Sequence, residues 1–463
     1  MPQPPIGLTM IKLSLTNEKI NSYGGLNLTA SILSHHTPLD NLFAEHQAHR
    51  ADKITDVDIL KTQIGLLCQA RTHFEDVELF RQDEAESFGL SLGINKIPSE
   101  PTLRLRLKEL ATIESMSKIE DINLSILKHH HILPLTVNGR SYIPNDINVT
   151  PLDNTSSHRE HVSRTYKGCD GFAPIMRNLG VQGWLLHQEL RPGRQHCQKG
   201  TPAFLKRNAE LLDKLNLQHP VLQRLDSGND SADTLEVLRN RGGGDYFIVK
   251  RNLRKESKVK WLSHAMSQGE PECPREGKEI YIGSAEHLKP GGKHSTQEPL
   301  SVTYKVTRRS IDKNGQPLLF DEIEVDTYWT NLGESPADVI ALYQDHGTSE
   351  QYHSEIKSDL NLERLPSNNF AVNQLFFALG GIAYNLLRAV GDRLTMYKNK
   401  WPKHLKAKRA KQTRRRVSSI IKDAITIAGK LVSHSGTKQL KIARGWPWSS
   451  AIIEVYRNLK IRI

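Results

Sequence analysis

The chain has 463 residues, of which 37% are hydrophobic and 25% charged, and it carries a net charge of +12. That positive surplus favours polyanionic partners, chiefly nucleic acid. Four scattered cysteines with no CxxC pair exclude a disulfide framework or a zinc knuckle.

In chain order, residues 1–135 read as a helical, DNA-binding region. "DVDILKTQIGLLCQARTHFEDVELF" repeats apolar residues at helical spacing, and "PSEPTLRLRLKELATIE" begins with a plausible cap at Ser99. Arg104, Arg106 and Lys108 interleave with leucines there. That pattern suits either a solvated face on a packed helix or the second helix of a helix-turn-helix.

Residues 136–244 alternate strands with a helix, which implies an α/β domain. "RSYIPNDINVT", "GVQGWLLHQELRPG" and "HPVLQRLDSGND" are the strands, with "TPAFLKRNAELLDKL" helical between the last two. Residues 245–332 read as a β-rich insertion without a helix. Residues 333–395 return to helix, first "SPADVIALYQDHGTSEQYHSEIKSDLNL" and then the apolar "FAVNQLFFALGGIAYNLLRAVGDRL", read as a buried core helix. Residues 396–463 form a basic helical region that includes Arg414, Arg415 and Arg416 and the apolar "VSSIIKDAITIAGKLVSH". Backbone contact with DNA is the reading favoured for its basic run.

No apolar run is read as long enough, at roughly 18 residues, to cross a bilayer. The start "MPQPPIGLTMIKLSL" lacks the features of a signal peptide, so a cytoplasmic protein with no membrane partner is expected. "GGG" at 242–244 precedes a strand rather than a Lys-Ser/Thr helix, so it is read as a loop and not a phosphate cradle. The histidines and cysteines around His158, His161, Cys169, His196 and Cys197 lack zinc-finger spacing.

Three places could carry chemistry. Asp226 follows an apolar strand directly, where ligands gather at the carboxyl ends of α/β sheets. Asp146 and Asn148 lie two apart on a strand and share a face, with Asp153 after the next turn. Tyr343, His346, Glu350 and Lys357 are spaced by three, four and seven, which puts them on one helical stripe. Carboxylates from separate elements can hold magnesium together with water and phosphate oxygens.

The stripe resembles the Tyr-x2-Arg-x3-Glu-x6-Lys signature of bacterial DDE transposases with an RNase H-like core, with His346 at the Arg position. "SRTYKGCDGFAPI", "ELRPGRQHCQKGTPAFL", "KRNLRKE" and "GTSEQYHSEIKSDLNLERLPS" are similar to the insertion-sequence 1380 group of that family, and the resemblance extends from about Leu42 to the tail. It implies an α/β chain with an RNase H-like core, a β-rich insertion and helical flanks. It also implies cut-and-paste transposition of double-stranded DNA, with hydrolysis at terminal inverted repeats and then strand transfer into target. Two magnesium ions, replaceable by manganese, would sit on Asp146, Asp226 and Glu350, and a homodimer would pair the two ends. Asn148 stands where the family usually carries a second Asp, so Asp146 is taken as the first carboxylate, with Asp153 as its alternative. Tyr343, His346 and Lys357 would contact phosphate. Trp329, or else Tyr328 or Trp261, could stack a flipped base. The alternatives are an RNase H-like nuclease without strand transfer and a catalytically impaired DNA-binding relic or repressor.

Overall fold

A computed structural model describes residues 14–44, 54–82, 84–241, 244–288, 290, 297–403, 405 and 413–461. The expected loop residues 242–243 and the basic residues Lys406, Lys408, Arg409 and Lys411 lie outside them.

The site is positioned by a ten-stranded mixed sheet. Its centre is three parallel strands, Arg140–Val149, Val221–Leu225 and Tyr246–Arg251, with Val221–Leu225 in the middle. Ile175–Leu179 and Trp184–Glu189 extend it antiparallel beyond Arg140–Val149. Helix Thr201–Asp213 and helix Ala232–Asn240 supply the crossovers that parallel neighbours require. On the far side, Pro317–Thr330 pairs with Tyr246–Arg251 and continues into Leu300–Ile311 and Lys278–Leu288.

The two faces of the central strands are covered differently. Ile147, Val149 and Leu225 pack with Phe204, Leu205 and Leu235 from the crossover helices. The opposite face is covered by the segment Pro336–Asp359 and by the long helix Phe370–Met396, whose Phe376, Ile382 and Leu386 are fully buried. That long helix is also apolar enough by length and composition to cross a membrane, a property no segment was granted above, yet most of its surface is packed inside the protein. Gly183, in the turn before Trp184, has φ +70°, and a Cβ there would sit 2.6 Å from the Tyr352 ring. The bare turn lets that ring seat, and its hydroxyl donates to the Val181 carbonyl at 3.1 Å, fixing the helix next to Glu350.

Two expectations change, and a third place where two readings stood open is narrowed. Helix Lys258–Gln268 interrupts the β-rich insertion: Ser257 caps it, and Trp261, Leu262 and Ala265 recur at helical spacing on its buried side. In "VSSIIKDAITIAGKLVSH" the helix ends at Ile425, and Gly429–His434 forms a strand paired with Thr437–Ile442. On helix Glu100–Leu110, Arg106 is buried against Asp56 and the Ile54 carbonyl, while Arg104 pairs with Glu75 and lies 4.7 Å from the Phe74 ring centre. Arg106 is therefore spent inside the protein, while Arg104 stays on the surface in ion pairs with Glu75 and Glu100.

Candidate active site

The sheet register brings the first two corners of the site together. Asp146 pairs with Arg224 and Ile147 with Leu225 across parallel strands. One residue further on, Asn148 stands beside Asp226, and side chains two apart share a face. Asn148, Asp226, Tyr343, His346, Glu350 and Lys357 all line one cleft of about 710 Å³. Two strand ends and one helical segment thus converge on it, and the four residues of the stripe do share a side as their spacing predicts.

Glu350 is exposed and has no ion-pair partner among the described residues. Glu355, five positions on, is 1% exposed and pairs with Arg414 at 2.7 Å. The segment is not one uniform helix: a 3-10 turn covers Asp345–Thr348, an α turn Ser349–Ser354 and a wide π turn Glu355–Asp359. Lys357 still reaches the cleft, where its Nζ donates to the Pro151 carbonyl at 2.8 Å and pairs with Glu363 at 2.9 Å.

Asp226 is a buried carboxylate whose partners compensate burial only in part. Burial pushes its pKa up, opposed by the Asn229 side-chain amide, which donates to Oδ1 at 2.7 Å, and by His346 and the backbone N–H groups of Gly228 and Asn229. A cation arriving in the cleft would relieve that cost.

Asp146 is different, and here the expectation of a metal-ligating carboxylate meets a contrary geometry. It is 3% exposed and does not line the cleft. Arg224 grips both its oxygens, Nε to Oδ1 at 2.6 Å and Nη2 to Oδ2 at 2.8 Å, and His346 Nδ1 lies 2.8 Å from Oδ1. Burial alone would raise its pKa, but the Arg224 and His346 charges outweigh burial and hold it below the usual carboxylate range. The oxygens that would have held an ion hold a guanidinium instead. Asp153, the alternative, does not line the cleft either; its Oδ1 accepts from the Thr155 backbone N–H at 2.9 Å.

Arg224 is the residue that reading the sequence missed. Its remaining nitrogen donates to the Leu342 carbonyl at 2.7 Å and to Asp345 at 2.9 Å. One buried side chain thereby ties the Asp146 strand, its own Asp226 strand and the segment leading to Glu350. The signal was available: an arginine two residues before Asp226, inside a mostly apolar strand, must be paired.

His346 is 7% exposed, with Nδ1 on Asp146 and Nε2 3.1 Å from the Asn148 amide oxygen. Asn148 Nδ2 in turn donates to Ser349 Oγ at 2.7 Å. Both ring nitrogens are occupied, so His346 orients its neighbours and has no donor left for phosphate. Tyr343 stacks loosely between Tyr328 and His346, at 4.7 and 5.4 Å between ring centres, and burial followed by Asp226 raises its pKa. Its phenol therefore stays a neutral donor.

Other expected contacts are buried or already paired within the protein. Trp329 is 2% exposed and its Nε1 donates to Asp230 at 2.9 Å, so it packs the insertion's own core and has no face for a base. Tyr328 and Trp261 are buried as well. Arg414 lies 4.5 Å over the Tyr352 ring centre and donates to the Gln182 carbonyl at 2.9 Å. Arg415 is buried against Asp423 and 3.9 Å over the Trp448 ring centre. Arg416 grips both oxygens of Asp359, at 2.8 and 3.0 Å. All three arginines pair intramolecularly, Arg414 and Arg416 against the Tyr352–Asp359 helix and Arg415 against Asp423.

Among the described residues, no three His, Cys, Asp or Glu side chains converge into a ready-made metal cage. The cleft offers two carboxylates, Asp226 and Glu350, and the amide oxygen of Asn148. Magnesium is commonly held by one or two carboxylates plus substrate phosphate and water. The donor set therefore fits one such ion with a phosphodiester present, and falls a carboxylate short of a three-carboxylate, two-ion site.

A family model described as transposase DDE domain group 1 matches residues 3–462. No curated protein matches the chain. The cryo-EM structure of a piggyBac transposase synaptic complex with hairpin DNA is similar with a TM-score of 0.42 at 10% identity, covering 96% of this chain and 84% of that one. A similarity of that size carries no argument.

Proposed function

From the premise that this chain belongs to the transposase DDE domain group 1 family, we propose that it cuts DNA at the ends of a transposable element and joins the freed 3′ ends to target DNA. DNA transposition is the general function that family membership supports. The finer reading is cut-and-paste movement by a member of the insertion-sequence 1380 group, acting on terminal inverted repeats as a homodimer. An RNase H-like core fits the central strand arrangement, an antiparallel pair beside three parallel strands, with Tyr246–Arg251 carrying its first part past the 136–244 bounds read from the sequence and 333–395 as its second part. The helical region 1–135 and the basic region 396–463 would grip DNA, although Arg414, Arg415 and Arg416 take no part in that.

The observation that carries this reading is the pairing of Asp226 and Glu350 across one cleft that also presents Lys167, along with Lys250 and Lys357, which pair with Asp326 and Glu363 at its wall. In such a cleft the lysines attract a phosphodiester backbone, and Tyr343 and Lys357 orient the phosphate. Asp226 and Glu350 would hold a magnesium or manganese ion, which when bound offsets charge on the attacking and leaving oxygens. Arg224, Asp146 and His346 keep the two carboxylates in register, and His346 holds the Asn148 amide by its oxygen. The signature reading of Tyr343, His346, Glu350 and Lys357 is kept with one change, His346 acting through its neighbours rather than on phosphate.

The test is magnesium- or manganese-dependent nicking of the element's own terminal DNA by the purified chain. Asp226→Asn and Glu350→Gln should each abolish it while leaving folding intact. Retained nicking in either variant would remove the site. Pre-cut ends separate a transposase from a nuclease, since only the former joins them to a target plasmid. A specific observation favours the second reading, a DNA-binding relic: Asn148, a neutral group, stands where a third carboxylate would face the cleft. Wild type that binds terminal repeats without nicking, and Asn148→Asp that nicks, would decide for it.

A further inference from the structure

Of the aromatic side chains that line the cleft, only Tyr166 keeps an open face. It is 65% exposed, whereas Tyr328 is 3% exposed and Tyr343 is half-buried against Tyr328 and His346. Tyr166 sits at the tip of a tight hairpin between Ser163–Arg164 and Asp170–Phe172. The Thr165 backbone and side chain both donate to the Cys169 carbonyl at 2.9 Å, and Gly168, at φ +82°, takes the left-handed conformation that closes the turn.

The ring is exposed but not loose. Its hydroxyl donates at 3.2 Å to the Val149 carbonyl, at the carboxyl end of the strand that carries Asn148. Burial of that hydroxyl end, helped by nearby Asp226, pushes the phenol up to about 12, so it remains a donor at neutral pH. The tip therefore presents a flat apolar face, pinned at its edge and set within the electrostatic reach of Asp226. Lys167 follows at once, its Nζ 6.0 Å from the ring centre, and it too lines the cleft. A fixed aromatic face with an ammonium beside it is the pairing that single-stranded nucleic acid meets: a base stacks on the ring and the next phosphate meets the cation.

We propose that the Tyr166–Lys167 hairpin tip is a stacking platform for an unpaired DNA base, holding the strand whose phosphate lies in the Asp226–Glu350 cleft. The proposal rests on the function proposed above for its account of why DNA enters the cleft, but its test needs no cleavage. It also locates base stacking on the core of the fold rather than on the insertion, where Trp329, Tyr328 and Trp261 are buried.

The probe is a mixed-sequence DNA single strand of about 12 nucleotides with a central 2-aminopurine, with calcium replacing magnesium. Wild type should quench the probe, and Tyr166→Phe should quench it in part, because it keeps the ring but loses the bond to the Val149 carbonyl that pins it. Tyr166→Ala should lose the quench and bind about ten-fold more weakly or worse. Lys167→Ala should keep the quench but flatten the dependence of log affinity on log salt by about 0.7. Because the ring is exposed, Tyr166→Ala should melt with the wild type, which separates lost stacking from lost folding. Equal quenching by wild type and Tyr166→Ala, or no quenching by wild type, would overturn the proposal. The wider reading is controlled separately, by nicking of the element's own terminal DNA by wild type, a readout that does not enter the quench. If wild type fails to nick under every condition yet the quench follows Tyr166, the catalytic reading falls and the platform stands.

Discussion

The two faces of the central sheet each bury an arginine, and they treat it in opposite ways. On the site face, Arg224 meets Asp146, Asp345 and the Leu342 carbonyl, so neighbouring carboxylates outweigh the cost of burial and its pKa rises. On the other face, Arg177 donates to Asn145 Oδ1 at 2.6 Å and Gln223 Oε1 at 3.1 Å, both neutral, while its Nη1 finds no hydrogen-bond partner. Burial, aided by Arg241, pulls Arg177 down to about 9 despite Asp245. The contrast separates two uses of a buried cation. Arg224 is clamped by two carboxylates and a backbone carbonyl and sets distances in the cleft. Arg177 satisfies polar side chains and carries no load on the site.

The sharpest way to break that comparison is to truncate both. Arg224→Met leaves the Asp146 carboxylate buried without its guanidinium, and we expect a loss of about 3–5 kcal/mol in urea unfolding. Arg177→Met removes a poorly compensated charge and orphans two amide oxygens, at an expected net cost of no more than about 2 kcal/mol. Equal losses would mean that the two faces do not differ as described. Next comes Arg415→Ala, which should cost about 3 kcal/mol by stranding Asp423 and unstacking Trp448, with DNA affinity unchanged once the protein is folded. A specific loss of DNA affinity would return Arg415 to the interface.

Asp226→Asn should act in the opposite direction. Burial raises the folded-state pKa of Asp226, so the ionised form at neutral pH is held at a cost that the unfolded chain does not bear. Removing the charge should raise the melting midpoint. Magnesium should raise it for wild type but not for this variant, because only a carboxylate gains by binding the ion. A wild-type midpoint that ignores magnesium would count against metal at Asp226. The smallest effect belongs to Arg416→Ala: half of that side chain is in solvent, and its ion pair with Asp359 should contribute at most about 1 kcal/mol to the urea-unfolding free energy.

Much of the site was legible because spacing survives folding. Gaps of three, four and seven placed Tyr343, His346, Glu350 and Lys357 on one side and distinguished Glu350 from Glu355. Asp226 was legible from its place after an apolar strand. What spacing cannot convey is who pairs with whom across the sheet. Nothing within "NDINVT" says that Asp146 will meet Arg224, 78 positions away, and so lose its oxygens to a guanidinium. The same limit applied to Arg414, Arg415 and Arg416, where a basic run looks alike whether it faces DNA or folds onto Glu355, Asp423 and Asp359. Helix Lys258–Gln268 was missed because its three apolar anchors are diluted by lysines and serines, and strand Gly429–His434 because its residues continue an apolar run begun by a helix.

The wide turn at Glu355–Asp359 has a bearing on chain length. A π turn holds one residue more than an α turn of the same rise, so it behaves as a single-residue insertion absorbed inside a helix. Deleting one position there would let a regular helix form and would swing every later side chain by about 100°. Lys357 would leave the Pro151 carbonyl and Asp359 would leave Arg416, although no residue type had been replaced by a worse one. Single-codon removals anywhere in this stretch should therefore be damaging, whereas an alanine scan should mark only the side chains that are used, Glu355, Lys357 and Asp359 among them.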